Sequence, residues 1–228
     1  MRLILIRHGQ TPSNVRRLLD TALPGPALTE LGEAQAKALV PALAEEQIDA
    51  IYSSVALRAQ QTAQPLVEQR GLELQVREEA REIAAGELEL ADDLPSVQKY
   101  LKVVYSWLIG ERELRMPGAE SGTEVLERFD RVVQEVLQTG HQSVALVSHG
   151  AMIRTWAACR AANVELDDPL KYDLSNTGVV VLEYHNDGTE RPWQIVSWNS
   201  EPAGGSTVAD PHHDGPDVEG LNAENQQA

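Results

Sequence analysis

Short unbroken apolar runs alternate along the chain with longer stretches in which apolar residues return every three or four positions. That alternation predicts a largely parallel sheet flanked by helices. Leu3 to Ile6 and Val144 to Val147 are continuous, rich in branched residues and bounded by polar positions, the pattern of strands buried on both faces. Asp49 to Ser53 reads as another short strand, and Glu73 to Arg77 alternates as one. The spacing of Leu31, Ala34, Ala38, Leu39 and Leu43 predicts a helix from an N-cap at Thr29 to about Gln47, which Pro41 should kink or shorten. Further helices are expected from Ser53 and Ser54 onward, carrying Arg58, and over 92–110, 123–139 and 151–162. Thr177 to Tyr184 and Trp193 to Trp198 flank Asn186-Asp187-Gly188, a hairpin signal that places an antiparallel edge on the sheet. That edge could pair with a second subunit, making a homodimer.

Two of the apolar runs end alike. The first leads into Arg7-His8-Gly9, the other into Ser148-His149-Gly150. Ligands of open α/β sheets bind beyond the carboxyl ends of the strands, so both histidines are expected at one sheet edge. Gly9 lets the backbone turn sharply where a ligand approaches. Pro12, Ser13 and Asn14 can then begin a short helix capped by Ser13 or Asn14, and Pro24, Gly25 and Pro26 make the loop 20–27 irregular. The helix after His149 would aim its N-terminal N–H groups, beginning at Gly150, at an anion.

Composition narrows the chemistry. The 228 residues carry a formal charge of −16, and from Asn199 onward there are six carboxylates and no lysine or arginine. A surface of that sign repels nucleic acid and anionic membranes. The tail 199–228 is expected to be acidic and disordered, with His212-His213 a weak signal for metal, and 1–198 to form one domain. The single cysteine, Cys159, sits in an apolar stretch and suits a reducing compartment, and no run is long enough to span a membrane. A cytoplasmic protein is expected. Among the helices, Tyr100, Tyr105, Trp107 and Phe129 read as core or pocket wall.

The ordered motifs resemble the histidine phosphatase superfamily, of the phosphoglycerate-mutase-like fold. The resemblance rests on the strand running into Arg7-His8-Gly9, then Leu28-Thr29 with Gly32 and Gln35-Ala36, then Tyr52-Ser53-Ser54 with Arg58-Ala59 and Thr62-Ala63. Arg81-Glu82 with Gly86, Gly118-Ala119-Glu120-Ser121, Ser148-His149-Gly150 and Ser175-Asn176-Thr177 follow in the family's order. It implies a three-layer α/β/α sandwich around a mostly parallel sheet, with a helical cap inserted at about 87–122. It also implies a metal-independent phosphomonoesterase, needing no cofactor, that acts on a small phosphorylated metabolite through a phosphohistidine.

In that reading His8 is the nucleophile, because a neutral ring nitrogen attacks phosphorus near neutral pH without a separate base. Arg7 and Arg58 grip the phosphoryl oxygens, His149 adds a donor if it is protonated, and Asn14, Gln10 and the Gly150 helix start can supply neutral ones. Glu82 is the proton donor, four residues before Gly86. The run Gly86-Glu87-Leu88-Glu89-Leu90 departs from the family's aromatic and Glu-Gly, so Glu79, Glu87 and Glu89 stand as alternatives. Helix capping by Ser121 or Thr123 would by itself account for Glu120-Ser121. Arg16, Arg17, Arg112 and Arg115 are candidates for a second phosphate. The alternatives are a phosphoglycerate mutase and a catalytically silent phospholigand-binding module. Against a mutase, the chain lacks Trp-Asn after the first motif and has Ala151-Met152 rather than Asn-Ser after the second His-Gly.

Overall fold

A computed structural model describes residues 1–165, 172–186, 188–189, 191–210 and 215. The strands are β1 (Arg2–Arg7), β2 (Ala50–Ser54), β3 (Leu74–Arg77), β4 (Ser143–Ser148), β5 (Val179–Tyr184) and β6 (Trp193–Asn199). They form one sheet in the order β3-β2-β4-β1-β5-β6. Pairing is parallel from β3 through β1, and antiparallel from β1 to β5 and from β5 to β6. The expected hairpin is therefore the edge; Asp187 of its turn lies outside the described residues.

The helices are α1 (Pro12–Val15), α2 (Glu30–Ala42), α3 (Leu57–Arg70), α4 (Leu94–Leu108), α5 (Gly122–Gln138) and α6 (Gly150–Arg160). Because side chains alternate along a strand, Ile4 and Ile6 pack with Leu39 of α2 and Leu66 of α3 on one face. Leu3 and Leu5 pack on the other with Trp107 of α4, Phe129 of α5 and Trp156 of α6. The result is three layers, with β1 and β4 buried in the middle one. Cys159 is a buried free thiol, and no helix among the described residues is long and apolar enough to cross a membrane.

Three expectations need correction. The helix that carries Arg58 starts at Leu57, because Ser53 and Ser54 complete strand β2. The cap of α1 is Thr11, whose hydroxyl accepts from the N–H of Asn14, while the Asn14 side chain reaches back to the N–H of Thr11. The stretch after β6 is structured as far as it is described: Ala203 N–H donates to Thr177, Gln35 Nε2 donates to the Val208 carbonyl, and 205–208 form a 3-10 turn. Backbone pairing with the body supplies there what the composition lacks in apolar residues. His212 and His213 lie outside the described residues.

Candidate active site

Adjacent parallel strands fix the centre of the site. β1 and β4 pair in a register that sets Arg7 opposite Ser148, so the next residue of each chain, His8 and His149, emerges side by side. The His8 N–H donates to the Ser148 carbonyl at 3.0 Å, and the two rings meet edge to face with centroids 5.2 Å apart. The turn after His8 is packed backbone on backbone: a Cβ on Gly9 would lie 2.7 Å from the Gly32 carbonyl oxygen, and one on Gly32 would overlap Gln10. Behind it, Asn176 Nδ2 and the Thr177 N–H both donate to the His8 carbonyl, at 3.0 and 3.3 Å.

Hydrogen bonding selects the tautomer of His8. Nδ1 lies 2.8 Å from the Gly9 carbonyl, which can only accept, so Nδ1 carries the proton and Nε2 keeps its lone pair. Burial, and then the charges of Arg58 and Arg7, push the His8 pKa well below the ordinary histidine value. His149 is shifted the same way by burial, Arg58, His8, Arg128 and Arg7. The shift favours the neutral form of His149, whereas its role as a charged donor depends on protonation. Its Nε2 lies 2.8 Å from Ser54 Oγ. Ser54 Oγ already accepts from the Ala56 N–H, so its own hydrogen is available to His149 Nε2. His149 Nδ1 is a buried atom without a hydrogen-bond partner among the described residues.

Arg58, second residue of α3, is 3% exposed. Its Nη2 donates to the Asp20 carbonyl, its Nη1 is buried without a hydrogen-bond partner among the described residues, and it lies against Gly25, where a Cβ would overlap Nη1. Burial lowers its pKa, opposed by Glu82, Asp20 and Glu89. Arg7 donates to the Leu174 carbonyl and lies against Gly150, where a Cβ would come within 3.1 Å of its Nε.

Glu82 sits in the loop between two 3-10 turns, Glu78–Ala80 and Gly86–Leu88. Its carboxylate accepts from the N–H groups of Ile83, Ala151 and Met152 at 2.8, 3.2 and 2.9 Å. The start of α6 thus holds a carboxylate of the chain itself, with two of its first N–H groups committed to Glu82 rather than open to an outside anion. Glu89, one of the alternatives, is tied instead to the N–H groups of Thr21 and Ala22.

Beside His8 lies a cavity of about 140 Å³ lined by Arg7, His8, Asn14, Arg58, Glu82 and Gly150, and walled by Leu18, Leu19, Tyr100 and Leu101; His149, fully buried, is not in that lining. Glu79, Glu87 and Glu89 are not in that lining, and neither are Arg16, Arg17, Arg112 or Arg115. Gln10 is absent too: its Nε2 donates to Asp210 and its Oε1 accepts from Thr29, so both ends of the amide are occupied elsewhere. Sequence reading missed Arg154, Asp20 and Asp173, which complete the outer wall. Arg154 falls one helical turn beyond Gly150, the spacing that could have revealed it.

The chain resembles proteins of known kind along nearly its whole length. A 33% identical relative, the PE-PGRS family protein PE_PGRS11 of Mycobacterium tuberculosis, aligns over 89% of this chain, which spans only 37% of that protein. Phosphoserine phosphatase 1 of Hydrogenobacter thermophilus is 29% identical, with 80% of this chain and 86% of the relative aligned. The solved structure of mycobacterial glucosyl-3-phosphoglycerate phosphatase in complex with vanadate superposes with a TM-score of 0.73 at 27% identity, covering 88% of this chain and 99% of that one. The family model of the histidine phosphatase superfamily, branch 1, matches residues 3–201. With paired strand-end histidines flanked by two arginines and that match, the chain belongs to the histidine phosphatase superfamily.

Proposed function

We infer that this chain is a metal-independent phosphomonoesterase that hydrolyses a small phosphorylated metabolite through a phosphohistidine at His8. The observation that carries the reading is the His8 ring, whose Nδ1–H is bound by the Gly9 carbonyl, leaving the Nε2 lone pair, and which lines a cavity together with Arg7 and Arg58. A phosphomonoester dianion there meets two guanidiniums, which spread its charge as it develops. His8 Nε2 attacks phosphorus, the P–O ester bond breaks, and Glu82, which must enter this step protonated, gives its proton to the departing alkoxide. Glu82 then takes a proton from water, which attacks the P–N bond and releases phosphate. Asn14, in the lining, and His149, packed edge to face against His8, flank the phosphoryl group.

A mutase would need further cationic groups to hold a second phosphate while the intermediate turns. Beyond Arg7 and Arg58 the lining offers only Arg154 among the described residues, and it is paired with Asp173, which favours the phosphatase. A single buried thiol suits the cytoplasm. The test is phosphate release from a panel of small phosphomonoesters in EDTA, comparing the chain with His8→Ala. Release that survives EDTA and is lost in the variant supports the reading. Release that needs a divalent ion, or that persists in His8→Ala, overturns it.

A further inference from the structure

The loop that presents Glu82 has almost no backbone ladder to hold it, yet its carbonyls are taken up one after another by side chains. The Glu79 and Arg81 carbonyls accept from Arg128 Nη1, at 2.7 and 2.8 Å, and the Glu82 carbonyl accepts from Arg128 Nη2 at 2.9 Å. Between them, Ser148 Oγ donates to Ala80, and beyond them Tyr100 Oη donates to Ile83. Five consecutive carbonyls, 79 to 83, are thus fixed from β4, α4 and α5, and three of the five depend on one guanidinium.

That guanidinium is 2% exposed. Its Nε donates to both carboxylate oxygens of Glu120, at 2.9 and 3.2 Å, and Glu120 also accepts from Arg81 Nη2 at 2.9 Å. A buried charge persists only when it is paired and its hydrogens are used, and here both conditions are met. The planar fork of arginine is what allows one side chain to meet a carboxylate with one edge and three carbonyls with its ends. Lysine has one nitrogen and cannot span them. Helix capping by Ser121 does occur, with Glu124 completing the box, but it leaves Glu120 unexplained. The partner of Glu120 is Arg128, whose contacts run to the loop on which Glu82 is mounted.

We propose that Arg128, held by Glu120, is the positioning residue for the proton donor of the reaction, setting the Glu82 carboxyl by clamping the carbonyls on either side of it. Arg128 does not line the cavity and touches neither phosphate-binding arginine. Its hydrogen bonds run to the carbonyls around Glu82, so its main effect falls on protonation of the leaving group. The proposal rests on Glu82 being the proton donor, so the experiment tests that separately.

The measurement is kcat/KM, which covers steps up to alcohol release, for two esters in the same preparation. p-Nitrophenyl phosphate has a leaving group that needs no proton, whereas the alkoxide of β-glycerophosphate does. Their ratio is independent of how much of a variant folds. Glu82→Gln should lower the β-glycerophosphate value about 100-fold more than the p-nitrophenyl phosphate value, as loss of a general acid does. Arg128→Lys should shift the ratio the same way by at least ~10-fold, part of the range a general acid supplies, with inhibition by inorganic phosphate unchanged. If Glu82→Gln leaves the ratio alone, the proton-donor reading and the proposal both fall. If Glu82→Gln shifts it but Arg128→Lys lowers both esters equally, or weakens phosphate inhibition in parallel, Arg128 is only structural and the proposal alone is overturned.

Discussion

The two halves of the cavity are built by opposite means. The half proposed to take phosphate rides on the central strands: His8 and its neighbour His149 follow directly from β1 and β4, and the register of that parallel pair sets how their rings meet. The proton-donor half is a loop between two 3-10 turns, held by side-chain donors from three other elements. A ladder of backbone bonds tolerates most single substitutions, because no one side chain makes it. A loop clamped by one guanidinium concentrates the same task in a single residue. The phosphate half should therefore respond to changes in the reacting groups themselves, and the other half to changes in their supports.

The largest expected effect is that of His8→Ala, which removes the attacking nitrogen and should lower kcat/KM on the order of 10⁴-fold or more, read as phosphate release in EDTA. Arg58→Ala should follow, at about 10²- to 10³-fold, the usual cost of removing a donor aimed at developing charge. Unlike the Glu82 and Arg128 variants it should lower alkyl and p-nitrophenyl esters alike, which sharpens the division between the halves. Ser54→Ala frees the His149 ring from its contact with the Ser54 hydroxyl, and loss of one hydrogen bond worth ~1 kcal/mol predicts a fall in kcat of about fivefold. Gln10→Ala should leave KM for every ester unchanged while lowering the melting temperature, because it breaks the contacts with Thr29 and Asp210 and none with substrate. A raised KM in that variant would return Gln10 to the phosphate site.

The pH profile bears on the buried pair of histidines. Both have pKa values pushed well below the ordinary value, mainly by burial. The acid limb of kcat/KM should therefore lie below the unperturbed histidine value of about 6.5. The folded protein binds these protons less readily than the unfolded chain, so the histidines' contribution to stability is full above about pH 6.5 and falls as pH drops toward the depressed folded values. Denaturant titrations across that window check the sign.

How legible the site was in the sequence follows the same division. The strand ends were readable, since a short apolar run that stops at His-Gly announces both the strand and the edge at which its ligands lie. The helix of Pro41 ends at Ala42, short of Gln47, with Pro41 inside its last turn. Ser53 and Ser54 misled because serine is a common helix start, whereas here Ser54 stays in β2 and its hydroxyl meets His149. Gln10 misled by nearness to His8: the turn at Gly9 carries its side chain away from the cavity. The Glu82 loop was recognised only through a spacing to Gly86, and its support was not seen at all. A signal was present, because Arg128 falls on the buried stripe of α5 with Val125, Phe129 and Val132, where a charge needs a partner. That partner, Glu120, is eight residues away, but the carbonyls that explain the arginine lie more than forty residues away, beyond the reach of any local pattern.

The most direct test of the account is a search for the covalent intermediate. The chain is mixed with a phosphomonoester in EDTA, quenched in alkali within the turnover time, and its peptides are mapped by mass spectrometry. The account predicts a phosphoryl group on the peptide containing His8, stable to base, lost in acid, and absent from His8→Ala. Turnover with no phosphorylated His8, or with the phosphoryl group on any other residue, would contradict it.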